Sequence, residues 1–159
     1  MPRIDPASVR LRTSTTYPPP YDAEARGRSA LMLSDAGGLS QFGVNVTILQ
    51  PGAKSSMRHW HETEDEFVMV LSGDCVLIED AGETPMTAGD CAAFPAGRPD
   101  GHTFINRSDA ECRLLVVGTR LDHDVATYSD IDLKVTITPQ GNRFTRKDGT
   151  PYPETGDKR

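Results

Sequence analysis

The chain has 159 residues, of which 25% are charged, with 17 basic against 23 acidic side chains and a net charge of −6. That length suits one domain, and that charged fraction leaves most of the chain able to fold. The acidic balance lacks the basic stripe of a nucleic-acid binder, and no apolar run approaches the ~20 residues needed to span a bilayer, so neither nucleic acid nor membrane is an expected partner.

The stretch Met1-Pro2-Arg3-Ile4-Asp5-Pro6 lacks the apolar segment of a secretory leader. Cys75, Cys91 and Cys112 are odd in number and each lies in an apolar, strand-like run. This predicts reduced core thiols and a cytoplasmic location, not a disulfide framework.

Residues 1–29 read as an extended arm. Pro2, Pro6 and Pro18-Pro19-Pro20 exclude a continuous helix, Tyr17 and Tyr21 flank the proline run, and a short helix is expected only near residues 22–28. Residues 30–138 form the main domain. Phe42, Val44, Val46 and Ile48 alternate with Gly43, Asn45, Thr47 and Leu49 as in a strand, and Pro51-Gly52 turns the chain. Further strands are expected at His59–His61, Glu66–Leu71, Cys75–Ile78, around Met86, Cys91–Phe94, His102–Asn106 and Cys112–Gly118. The last clear strand is Ile131–Thr138, and residues 139–159 read as a polar tail. Strands recurring every ~8–12 residues between turns predict an antiparallel sandwich or barrel. The apolar side of Ile131–Thr138 needs cover, either on the barrel or on a second copy, which predicts a homodimer.

The stretch with most chemistry is Arg58-His59-Trp60-His61-Glu62-Thr63-Glu64-Asp65-Glu66. Side chains i and i+2 of a strand share a face, roughly 6.6 Å apart, so the two imidazoles converge. Two imidazoles and a carboxylate suit a divalent transition metal (Zn, Fe, Mn, Ni or Co) better than calcium or magnesium. On a straight strand Glu66 falls on the face opposite His61, so the acidic run between them must turn, as in a hairpin. Glu62, Glu64 and Asp65 are rival oxygen ligands. Glu66 is preferred because it begins an apolar strand that holds it rigidly. His102 starts a strand after a Gly/Pro-rich loop and is the natural fourth ligand.

These residues resemble the two motifs of the cupin superfamily. Gly52, His59, His61, Glu66 and Gly73 match the first motif with one residue more between Gly52 and His59. Gly89, Pro95, Gly97, His102 and Asn106 match the second, except that Arg98-Pro99-Asp100-Gly101 lengthens by two the gap before His102. The resemblance covers about residues 40–118. It implies an all-β double-stranded β-helix, a small jelly-roll barrel, with metal ligands His59, His61, Glu66 and His102. Three imidazoles and one carboxylate leave about two positions open on an octahedral ion, a catalytic pattern.

Lys54, Arg98 and Arg107 lie near the motif loops and are candidates for holding an anionic substrate, with Arg98 first because it lies in the longer loop. Glu64 and His123 are candidate general bases. On a straight strand Arg58 points away from the histidines. Trp60, on the opposite face, is expected in core or interface contacts; Asn106 is expected to bond its own turn. Tyr128 stays undecided. The leading functional expectation is a metal-dependent enzyme on a small polar metabolite, with sugar-phosphate isomerases among the cupins as the nearest guess. An iron-dependent dioxygenase and a non-catalytic small-ligand binder are the alternatives.

Overall fold

The computed structural model describes residues 3–153. The strands are β1 (Leu11–Arg12), β2 (Arg28–Met32), β3 (Phe42–Leu49), β4 (His59–His61), β5 (Glu66–Ser72), β6 (Asp74–Glu79), β7 (Gly82–Thr87), β8 (Cys91–Phe94), β9 (Thr103–Ile105), β10 (Cys112–Thr119), β11 (Asp124–Tyr128), β12 (Lys134–Thr138) and β13 (Gly141–Thr145). Among the described residues the single α-helix is one turn long, Leu33–Ala36. The helix expected near residues 22–28 is a 3-10 turn at Tyr21–Ala25.

Strands pair antiparallel in the orders β1-β2-β3-β10-β5-β8, β13-β12-β11-β4 and β7-β6-β9. An isolated bridge between His59 and His102 links the last two groups. The result is a cupin-type jelly roll of two facing layers, all-β as expected, whose hydrogen-bond ladder is not closed into one continuous barrel.

Alternation explains the layers. Val68 and Val70 of β5, Cys112 and Leu114 of β10 and Leu49 of β3 are buried and meet Leu77, Met86 and Phe104 from the facing sheet. Each such aliphatic side chain contributes about 1.5–3 kcal/mol when withdrawn from water. A second cluster joins Tyr17, Tyr128, Leu133 and Val135, so the arm supplies Tyr17 to cover the apolar side of β12. β1 and β13 extend the sheets with residues from the two terminal stretches. Gly73, between β5 and β6, has φ +75°, and a Cβ there would lie 2.5 Å from the carbonyl oxygen of Glu111. Only glycine fits so close an approach.

Several expectations change. β4 pairs with β11 and not with β5, so residues 62–65 carry the chain from one sheet to the other and make no hairpin. β11 grows out of a stretch whose acids, Asp122 and Asp124, masked the alternation behind them. β12 begins at Lys134; Leu133 just before it is fully buried. Cys75 and Cys112 are buried free thiols, but Cys91 is exposed, because its side chain falls on the outer face of an edge strand.

Candidate metal centre

β4 presents His59 and His61, and its register on β11 sets Tyr128 opposite His59 and Ala126 opposite His61. One alternation further along β11 stands Asp124, fully buried. β5 begins with Glu66 in the facing sheet, and β9 is preceded by His102, buried under Phe94 with ring centroids 3.5 Å apart. Two strands and one loop end thus deliver the candidate ligands, and β11 stands behind them with Asp124.

His59, His61 and Glu66 each offer an atom within 4.8 Å of the others. His59 Nδ1 lies 2.9 Å from the carbonyl oxygen of Met57. A carbonyl only accepts, so Nδ1 carries the proton and Nε2 keeps a bare lone pair. His61 Nδ1 lies 2.5 Å from Asp124 Oδ2 and donates there, which likewise directs its Nε2 inward. The two Nε2 atoms are 3.1 Å apart. Lone pairs facing each other repel, and either a proton on His61 Nε2 or a metal ion between them relieves this. Two cis ligands each at about 2.1 Å from a metal stand about 3.0 Å apart, so the donor pair fits a transition ion. His102 Nε2 donates to Glu66 Oε2 at 2.7 Å and its Nδ1 is buried without a partner, so His102 joins as a ligand through Nε2 only by giving up that bond.

The charges agree with this arrangement. Burial, with the neighbouring imidazoles next, lowers the His59 pKa to about 3. Burial also opposes charge on His61, yet the Asp124 bond and Glu66 outweigh it and raise its pKa. Burial works to raise Glu66, but the bond from His102 prevails and brings it down to about 2. Asp124 is held below the usual carboxylate range: burial opposes this, and the bonds from His61 and from the amide and hydroxyl of Thr63 overcome it. The cluster therefore keeps two ionised carboxylates and one neutral imidazole ready for a cation.

The other candidates spread out. Glu64 Oε1 accepts from the Leu121 amide at 2.9 Å, and Glu64 groups with His61 and Asp124. His123 is exposed; its carbonyl accepts from Thr63 Oγ1. Arg98 is 68% exposed, 3.6 Å from Asp100. Lys54 pairs with Glu24 and Arg107 with Glu83. Arg58 reaches Asp80, Asp130 and the carbonyl of Gly101. Asn106 is fully buried and ties its own loop by bonding Leu49 and Ala110 carbonyls. Tyr128 is buried with its ring centroid 5.6 Å from that of His59. Trp60, expected in core or interface contacts, is half-buried and lines a crevice beside His61. Asp124 was the residue sequence reasoning overlooked; the signal was its parity with Ala126 and Tyr128 in a strand hidden behind acids.

A family model described as a cupin domain matches residues 45–118. No curated protein sequence matches the chain. Among solved structures, a sugar phosphate isomerase of the cupin superfamily from Silicibacter pomeroyi is 54% identical, covers 98% of both chains and superposes with a TM-score of 0.92. A candidate sugar phosphate isomerase from Acidithiobacillus ferrooxidans is 28% identical over 80% of this chain and 81% of its own, with a TM-score of 0.72. A polyketide cyclase from Streptomyces resistomycificus, 22% identical over 75% and 79% of the two chains, shares the fold at a TM-score of 0.60. The near-complete likeness to the first of these, with the cupin-domain match, makes this chain a member of the cupin superfamily.

Proposed function

We propose that the protein is a metal-dependent isomerase of small sugar phosphates. The observation that carries the substrate class is the 54% identity, over 98% of both chains, to the protein from Silicibacter pomeroyi called a sugar phosphate isomerase. His59, His61 and Glu66 are the assigned ligands, with His102 as the fourth. A divalent transition metal held there supplies Lewis-acid polarisation of a substrate oxygen.

The chain's own residues do the rest. Met57 and Asp124 fix the two imidazole tautomers, so both lone pairs stay aimed at one point. Glu64 is the better placed of the two base candidates, because it lines the same crevice as His61. In an aldose–ketose interconversion it takes the proton from the carbon beside the carbonyl and returns it to the former carbonyl carbon, while the hydroxyl proton on the first carbon passes to the former carbonyl oxygen. Arg98 meets the anionic group. Two buried, unpaired thiols support a reducing, cytoplasmic location.

A homodimer belongs to the same reading. The apolar side of β12 is covered by Tyr17, but Leu11, Leu31, Val46, Leu115, Met69 and Cys91 form one cross-strand row on the outer face of the six-stranded sheet. A second copy is the proposed cover.

The test is elemental analysis of tag-free protein, with His59→Ala as control, followed by proton NMR of aldose phosphates incubated with the reconstituted protein. About one equivalent of a transition metal and conversion to the ketose are expected. Failure to retain metal after reconstitution, or turnover equal in His59→Ala, ends this reading.

A further inference from the structure

Two spaces flank the ligand cluster, and His102 borders both. The inner chamber is walled by His59, Glu66, Thr47, Ser55, Val68 and Val116, and no lysine or arginine lines it. A phosphate placed there faces the ionised Glu66 and no basic side chain, with only a bound metal to offset its charge. The outer crevice, about 340 Å³ including its open mouth, lies beneath the loop that joins β8 to β9. Trp60, Glu64, Glu79, Phe94, Arg98 and Asp100 line it next to His61 and His102. It exists because β4 has β11 on one edge and meets β9 only through the His59–His102 bridge. Beyond that bridge, among the described residues, no strand pairs with the other edge of β4, which meets only the Gly97 amide of the loop.

The roof of the crevice is fixed at several points. Gly97 donates its amide to the His61 carbonyl at 2.8 Å. Asp100 Oδ1 accepts the Asp80 amide at 2.9 Å. Arg58 Nη1 donates to the Gly101 carbonyl at 3.3 Å while the same guanidinium pairs with Asp80 and Asp130. Gly101 sits so close to β11's end that a Cβ there would meet Ser129 Oγ at 2.1 Å. The two extra residues of this loop thus build a preorganised wall.

We propose that this crevice, and not the inner chamber, takes the sugar, with Trp60 as its platform. The indole and Phe94 offer an apolar surface to the C–H face of a sugar, Glu79 and Asp100 accept its hydroxyls, and Arg98 receives the phosphate at the rim. The acids keep the phosphate away from the floor, and the exposed Arg98, loosely paired at 3.6 Å, is free to exchange Asp100 for a stronger dianion. The assignment of phosphate rests on the isomerase reading; the choice of cavity rests on the lining residues.

Trp60 is the chain's one tryptophan, so its emission reports the crevice directly. The metal-loaded protein is titrated with ribose 5-phosphate, glucose 6-phosphate, mannose 6-phosphate and their unphosphorylated parents. A saturable change is expected, with a phosphorylated sugar bound about tenfold tighter than its parent. Arg98→Gln is expected to erase that preference and leave the parent's affinity alone. Trp60→Ala, followed by calorimetry, is expected to weaken both about tenfold, and Thr47→Val in the chamber to change neither. Circular dichroism and melting check that the variants fold, and Arg98→Gln, at an exposed position, carries the result if Trp60→Ala does not. Weakening by Thr47→Val with Arg98→Gln neutral overturns the choice of cavity, as does turnover with Trp60 emission unmoved. Arg98-dependent binding without turnover removes the isomerase reading and leaves the crevice standing. If no sugar binds and none turns over, both fall.

Discussion

Asp124 Oδ2 lies 2.5 Å from His61 Nδ1, and the carboxylate is fully buried with its other oxygen held by the amide and hydroxyl of Thr63. A carboxylate so fixed dictates which nitrogen of His61 faces the cluster. Partners of this kind behind a metal-bound histidine typically govern affinity by 10–100-fold. Asp124→Asn is therefore expected to weaken metal binding by about that factor while His59 still binds. Competition against a chelating dye measures it; unchanged affinity would show that His61 needs no help.

Acid should loosen the metal-free protein. The unfolded chain protonates His59 below about 6.5, but the folded chain resists until about 3, so this stability is present above pH 6.5 and lost as pH falls toward 3. Glu66 acts in the same direction, from its ordinary 4.5 down to about 2. His61, raised, acts oppositely: its contribution is present below 6.5 and lost as pH rises through its folded value. His59 therefore carries the change below pH 6.5 and Glu66 joins it below about 4.5, so the melting temperature is expected to drop steadily between pH 6.5 and 4, and more gently in His59→Asn. Scanning calorimetry across that range decides it.

Gly73→Ala places a methyl group 2.5 Å from the Glu111 carbonyl at a positive φ. The strain and the forced shift of β10 together predict a loss of at least about 2 kcal/mol. Urea unfolding of the two proteins checks this; a loss below about 0.5 kcal/mol would mean that the turn yields easily.

The outer row on the six-stranded sheet predicts a particle of twice 17.3 kDa by light scattering. Met69→Lys, set in the middle of that row and remote from the candidate ligands in role, is expected to give single chains that still bind metal. A single-chain mass for the unaltered protein removes the dimer.

Much of this was legible in the sequence because strands announce themselves by alternation. Phe42–Leu49 and Cys112–Thr119 carry it cleanly and were read nearly to their ends. His59 and His61 needed only the two-residue period. Glu66 needed more: its rigid place at the start of an apolar strand pointed to it, but the hairpin invoked to bring it round does not exist. A local reading reaches for the nearest turn, whereas the facing sheet delivers Glu66 across the interior. The same limit hid Asp124, whose value depends on a strand paired over more than sixty positions. Trp60 is a different case. Alternation placed it outward, and nothing local says that no strand pairs with the neighbouring edge of β4 beyond the His59–His102 bridge.

His59 and His61 belong to one sheet and Glu66 to the layer facing it. An ion gripped by both layers acts as a rivet, because the layers cannot part without releasing it. Its binding free energy then adds to the barrier against opening, by about 4 kcal/mol when free metal exceeds the dissociation constant a thousandfold. Metal supply in the cell would thereby set how long each copy of the protein survives proteolysis.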